Sequence, residues 1–121
     1  PLAFGSIDMH VFDGNAGILE SNSSDFTDRN TAFIDGDKLT FPLKVRRWKK
    51  GDFFYPLGMK GKKLISDYFV DEKFNPAQKE LVYLLLSGQE IVWVIGHRID
   101  DRYKLTDTTA STRKFTWKQK N

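Results

Sequence analysis

Two short apolar runs constrain this chain most. Residues 81–86 and 91–95 are both continuous stretches of core formers, and Ser87-Gly88-Gln89-Glu90 lies between them. Runs of that length, bounded by turn residues, predict two buried strands joined by a tight turn. The segment before them reads as helical. Leu64, Ile65, Tyr68 and Phe69 fall on one face of a helix. Asn75-Pro76 predicts the start of a second short helix, with Asn75 as the capping residue and proline in the first turn.

The remaining periodicity is that of strands. Ile7, Met9 and Val11 alternate, and turn residues follow at Asp13-Gly14-Asn15. Residues 20–30 are polar and predict an exposed loop. A short strand at 31–34, the turn Asp35-Gly36-Asp37 and a longer strand over 38–48 predict a hairpin. In that strand Leu39, Phe41, Leu43 and Val45 form the buried face, Lys44 and Arg46 the open one, and Pro42 marks an edge or a bend. Residues 102–106 and 112–118 are further strand candidates. The fold class expected is α+β, with a mixed, largely antiparallel sheet and one or two short helices. Residues 1–40 read as an N-terminal strand, hairpin and polar loop leading into a domain that spans 41–121.

Charge is unevenly distributed. Residues 44–63 carry eight basic side chains against the single acid Asp52, whereas residues 1–43 carry seven acidic against two basic. The net charge of +3 for the 121 residues conceals this local excess. There is no cysteine, which excludes disulfides, thiolate metal sites and thiol nucleophiles. No apolar run is long enough to span a bilayer. The first residues, Pro-Leu-Ala-Phe, lack an initiating Met and a secretory pattern, so a piece of a longer cytoplasmic polypeptide is expected.

No catalytic constellation stands out. His10 and His97 are the only histidines, and neither has metal-ligand spacing. Asp8 with His10 reads as a surface polar pair, and Asp100-Asp101 as a strand-end or turn feature. Residues 58–63 lack the glycine spacing and the hydroxyl of a phosphate loop. Neither a catalytic residue nor a metal ligand is assigned.

Binding is better supported. Lys44-Val45-Arg46-Arg47-Trp48-Lys49-Lys50 packs five cations around one Trp, and Lys60-Gly61-Lys62-Lys63 follows. Cations neutralise phosphates, and aromatic or guanidinium planes stack on bases. The candidate RNA-binding residues are Arg46, Arg47, Trp48, Lys60, Lys62 and Lys63, with Lys44, Arg98 and Arg102 as secondary candidates. Trp48 reads equally as a half-buried strand Trp. Phe53, Phe54 and Tyr55 read as core. Arg98 and Arg102 either extend the basic patch or pair with Asp100 and Asp101, the pairing being favoured. Lys62 and Lys63 are placed in the first turn of the helix, where the macrodipole disfavours cations unless an anion is bound.

The ordered set Arg46-Arg47 with Gly51-Asp52, then Pro56-Leu57-Gly58-Met59-Lys60-Gly61-Lys62-Lys63, then Trp93 with Gly96, Arg98 and Asp100, resembles the C-terminal domain of bacterial tRNA(Ile)-lysidine synthetases. The resemblance covers about 41–106. It implies a full-length, ATP-dependent ligase that converts the wobble cytidine of tRNA(Ile) to lysidine. The chemistry and the ATP site would lie in an N-terminal catalytic domain outside this chain, which itself needs no cofactor. The implied partners are tRNA(Ile), contacted near the acceptor stem, and that catalytic domain. A homodimer of the full enzyme, and a docking module without RNA contact, are the alternatives.

Overall fold

A computed structural model describes residues 5–14 and 29–119. They form two compact units, one made of residues 1–39 and 103–121 and the other of 40–102. In the first, strands β1 (Gly5–Asp13) and β2 (Thr31–Asp35) flank the C-terminal strand in one antiparallel sheet. The second holds β3 (Leu43–Arg47), the two-residue strands β4 (Phe53–Phe54) and β5 (Lys63–Leu64), helices α1 (Ile65–Asp71) and α2 (Pro76–Glu80), and strands β6 (Tyr83–Ser87) and β7 (Glu90–Val94). The chain then returns to the first unit as β8 (Ser111–Gln119). Every strand ladder among the described residues is antiparallel, so the α+β expectation holds.

In the second unit the apolar runs form the predicted hairpin. All five residues of β6 are buried, and β7 pairs with it through Leu84 opposite Val94 and Leu86 opposite Ile91. That face meets the buried side of α1, where Ile65, Tyr68 and Phe69 lie at helical spacing, and Phe54 completes the cluster. Burying one such side chain contributes about 1.5–3 kcal/mol. Just beyond the end of α1, Lys73 adopts a left-handed φ of 59°. The Phe74 N–H bonds to the Phe69 carbonyl, and the Phe74 ring stacks on Phe69 with centroids 4.9 Å apart. Helix α2 has the predicted start. The Asn75 side chain accepts from the Gln78 N–H, and the Gln78 side chain accepts from the Asn75 N–H.

Three expectations fail. The Asp35-Gly36-Asp37 turn does not make a hairpin with the next strand. Asp35 instead caps a short 3-10 turn over Gly36–Lys38, and β2 pairs with β8. Asp37 accepts from the N–H groups of Ala110 and Ser111, which anchors this turn to the start of β8. The strand expected over 38–48 is confined to Leu43–Arg47, because Pro42 has no N–H to give a ladder. Phe41, assigned to the buried face, is 52% exposed. Both Leu43 and Val45 are only half-buried, since β3 lies at the edge of its sheet. Residues 103–119 lie in the first unit through the pairing of β8 with β1 and β2. Residues 102–106 form a 3-10 turn and coil rather than a strand. The loop expected at 20–30 lies, but for its last two residues, outside the described residues.

Candidate nucleic-acid interface

The first basic cluster is organised by an acid. The Arg46 guanidinium forks onto Asp52, with Nη1 to Oδ2 and Nη2 to Oδ1 both at 2.9 Å. Asp52 also accepts from the Lys49 N–H, and its own N–H donates to the Lys49 carbonyl. The turn closes because Gly51 takes a φ of 94°, which other residues rarely adopt. Burial alone would push the Asp52 carboxyl up. The hydrogen bonds from Arg46 and from the Lys49 N–H, together with both positive charges, outweigh burial and hold it below its ordinary value. The hydrogen bond to Asp52 likewise raises Arg46. The Asp52 carbonyl then accepts from the Ile65 N–H, tying this turn to the start of α1.

Arg47 and Trp48 point to other partners. Arg47 Nη1 donates to the Glu80 carbonyl at 2.5 Å, and its guanidinium lies 5.4 Å from the centre of the Tyr83 ring, directly across the ladder. The Trp48 indole N–H donates to the Lys79 carbonyl at 3.1 Å. Its ring meets Phe69 edge-on at 5.0 Å, so Trp48 packs against the core as a half-buried strand-end Trp.

The second cluster lies on the β4–β5 hairpin and not in a helix. Lys63 pairs with Phe54 in the ladder, and α1 begins two residues later at Ile65. Lys62 and Lys63 therefore do not oppose a helix dipole, and the expectation of an anion held at that helix start is withdrawn. The extended backbone at Lys63 is stabilised by its ladder partner, and Gly61, at a φ of 85°, makes the turn that leads into it. Lys63 forms an ion pair with Asp71 at the far end of α1. Lys62 sits 4.6 Å over the Phe53 ring, and Lys60 is exposed on the loop.

The loop between these strands is held from below by Asp100. This fully buried carboxylate accepts from the Tyr55 N–H and from the Arg102 N–H, Nε and Nη2. Pro56 bridges to Asp100, and the Leu57 N–H donates to the Ile99 carbonyl. Gly58, at a φ of 82°, completes a turn from Pro56 to Met59. The pairing expected of Arg102 is present, and Arg102 reaches Glu90 as well. Arg98 does not join it. Its guanidinium contacts the Met59 sulfur at 3.5 Å and lies 5.9 Å from the centre of the Tyr68 ring.

Of the eight cations in 44–63, Arg46 and Lys63 are engaged by carboxylates. Lys44, Lys49, Lys50, Lys60 and Lys62 are all exposed, and none makes an ion pair among the described residues. Sequence reasoning missed Phe53, which is 39% exposed rather than core. The alternation of a strand could have found it, because Phe54 faces the core and Phe53 must then face away. No group of three or more potential metal ligands occurs among the described residues, nor a helix long and apolar enough to cross a membrane.

Comparison with known proteins places this geometry in a family. Residues 43–117 match the model of the TilS substrate C-terminal domain. The tRNA(Ile)-lysidine synthase of Parabacteroides distasonis is 52% identical over 81 residues, covering 67% of this chain and 18% of that protein. That of Bacteroides thetaiotaomicron is 46% identical over 82 residues, covering 68% and 19% respectively. The chain thus spans about a fifth of the length of the curated relatives it matches. In fold it resembles a crystallised TilS C-terminal domain, with a TM-score of 0.75 at 16% identity over 97% of this chain and 85% of that one. An N-terminal fragment of the phenylalanyl-tRNA synthetase β-subunit from Pyrococcus horikoshii gives a TM-score of 0.70 at 13% identity, over 93% of this chain and 39% of that one. With the family model matching well over half of its residues, the chain belongs to the TilS substrate C-terminal domain family.

Proposed function

We propose that this domain is the tRNA-contacting part of an ATP-dependent tRNA(Ile)-lysidine synthetase of the cytoplasm, whose chemistry on the wobble cytidine belongs to a separate catalytic domain. The observation that carries the reading is the set of five exposed lysines without ion pairs among the described residues, at positions 44, 49, 50, 60 and 62. A protein surface stabilised by its own salt bridges would have neutralised them. Cations left in solvent and grouped in one stretch of sequence are suited to phosphates, which attract them by charge and by counterion release. A duplex stem such as the acceptor stem fits this surface, because A-form RNA is recognised largely through its phosphates and 2′-hydroxyls. Arg46, Arg47 and Lys63 support the surface through their own contacts, and Lys60 and Lys62 are its leading contacts.

The test is a salt titration of tRNA(Ile) binding with the wild-type chain and with K60E/K62E. Steep loss of affinity with salt is expected for the wild type, and the double reversal should weaken binding by at least about tenfold at low salt. Unchanged affinity in the double variant overturns the reading. Footprinting of tRNA(Ile) by the full enzyme with and without this domain then locates the contact, with loss of protection expected at the acceptor stem.

One observation favours a docking or dimerisation module instead. Met9 and Val11 are 42% and 54% exposed on the edge strand β1. Mass measurement in solution separates the two readings, since a module that works by self-association is a dimer without RNA.

A further inference from the structure

Between the turn of the β6–β7 hairpin and the turn that precedes β4 lies an open cleft of about 270 Å³. Ile91 is buried and forms its apolar floor, and Phe53 supplies an exposed aromatic wall. Around them stand Gln89, the Arg102 side chain and two carboxylates, Asp52 and Glu90. We propose that this cleft binds one unpaired nucleobase of an RNA strand. The inference rests on the RNA-contact reading and assigns it a second element, a stacking site beside the phosphate contacts.

Four features support the assignment. First, the volume lies just under the range of about 300–1,000 Å³ typical of drug-sized ligands, which suits a single planar ring system. Second, Phe53 is held for stacking. Its ring meets Tyr55 edge-on at 6.2 Å, and Tyr55 is in turn covered by the Arg102 guanidinium at 4.4 Å. Aromatic rings presented in this way are the platforms on which single-stranded bases stack. Third, the cleft is not an acidic site despite its two carboxylates. Asp52 is paired with Arg46, and Glu90 with Arg102 at 3.0 Å. The Gln89 amide is exposed and, among the described residues, has no hydrogen-bonded side-chain partner, so both its donor and its acceptor are available. Fourth, Lys62 lies 4.6 Å from the centre of the Phe53 ring. A nucleotide whose base enters the cleft thus has a cation beside its phosphate.

The experiment is an NMR titration of the 121-residue chain with CMP, AMP, UMP and ribose 5-phosphate, followed through the Gln89 side-chain amide and the Phe53 backbone amide. CMP, AMP and UMP should move both signals, and ribose 5-phosphate should leave Gln89 unmoved. Phe53→Ala should weaken CMP binding roughly tenfold. Gln89→Met lies on an exposed turn and leaves the core untouched, so it reports on the cleft even if Phe53→Ala perturbs the hairpin. It should weaken binding of CMP, AMP and UMP alike. A Gln89 signal unmoved by any nucleotide, or moved equally by ribose 5-phosphate and CMP, overturns the proposal. Failure of the underlying RNA reading shows separately, as tRNA affinity that survives K60E/K62E.

Discussion

Arg46 and Asp52, six positions apart, are joined by two parallel hydrogen bonds of 2.9 Å, and Asp52 closes the Lys49 turn with a third. The first arginine of the basic stretch and its single acid are therefore structural partners. The pair fixes the path from β3 to β4, and with it the exposed lysines on either side.

Removing the acid leaves a half-buried guanidinium without its fork and opens the turn. Asp52→Asn should lower stability by about 1.5–3 kcal/mol, the range for hydrogen bonds to charged groups, as measured by urea unfolding at neutral pH. Arg46→Lys should also destabilise, because an ammonium cannot make two parallel bonds to one carboxylate.

The same pair makes stability depend on pH. The folded-state pKa of Asp52 is depressed, so its contribution is complete above the unfolded value of about 4. It is lost as pH falls from there through the lower folded value. The difference in unfolding free energy between wild type and Asp52→Asn should shrink steadily below about pH 4. A difference that stays constant down to pH 2.5 would show that the charged form of Asp52 is not what stabilises the fold.

Trp48 serves as a discriminating control for RNA contact. Trp48→Phe keeps the edge-on contact with Phe69 but removes the N–H that bonds the Lys79 carbonyl. It should cost about 1 kcal/mol of stability and leave tRNA affinity unchanged. A large loss of affinity with stability intact would make Trp48 a base-stacking residue.

Lys73 holds a left-handed conformation at the end of α1, where a side chain costs about 1–2 kcal/mol relative to the right-handed form. Glycine carries no such cost but loses more entropy on folding, by roughly 0.5–1 kcal/mol. Lys73→Gly should therefore leave the domain unchanged or more stable by up to about 1 kcal/mol, and Lys73→Ala should not stabilise it. Thermal unfolding of the two variants checks the ordering.

What the sequence by itself determined was local. The two apolar runs specify the β6–β7 hairpin, Ile65, Tyr68 and Phe69 specify the buried side of α1, and Asn75 with Pro76 specifies the start of α2. Each depends on side chains within a few positions of one another, whose periodicity and capping chemistry are written in the chain. The family motif was legible for the same reason, as an ordered set of short segments.

The tertiary structure alone decided which atoms meet across long separations. β2 pairs with β8, about eighty residues away, and not with its sequence neighbour β3. The same holds for the candidate interface. Charge counting could not tell that Arg46 and Lys63 are engaged by Asp52 and Asp71, or that Lys60 and Lys62 are left in solvent. Nor could it show that Phe53 faces outward beneath Lys62. A cation's role depends on whether folding brings a carboxylate to it, and neither composition nor periodicity encodes that arrival.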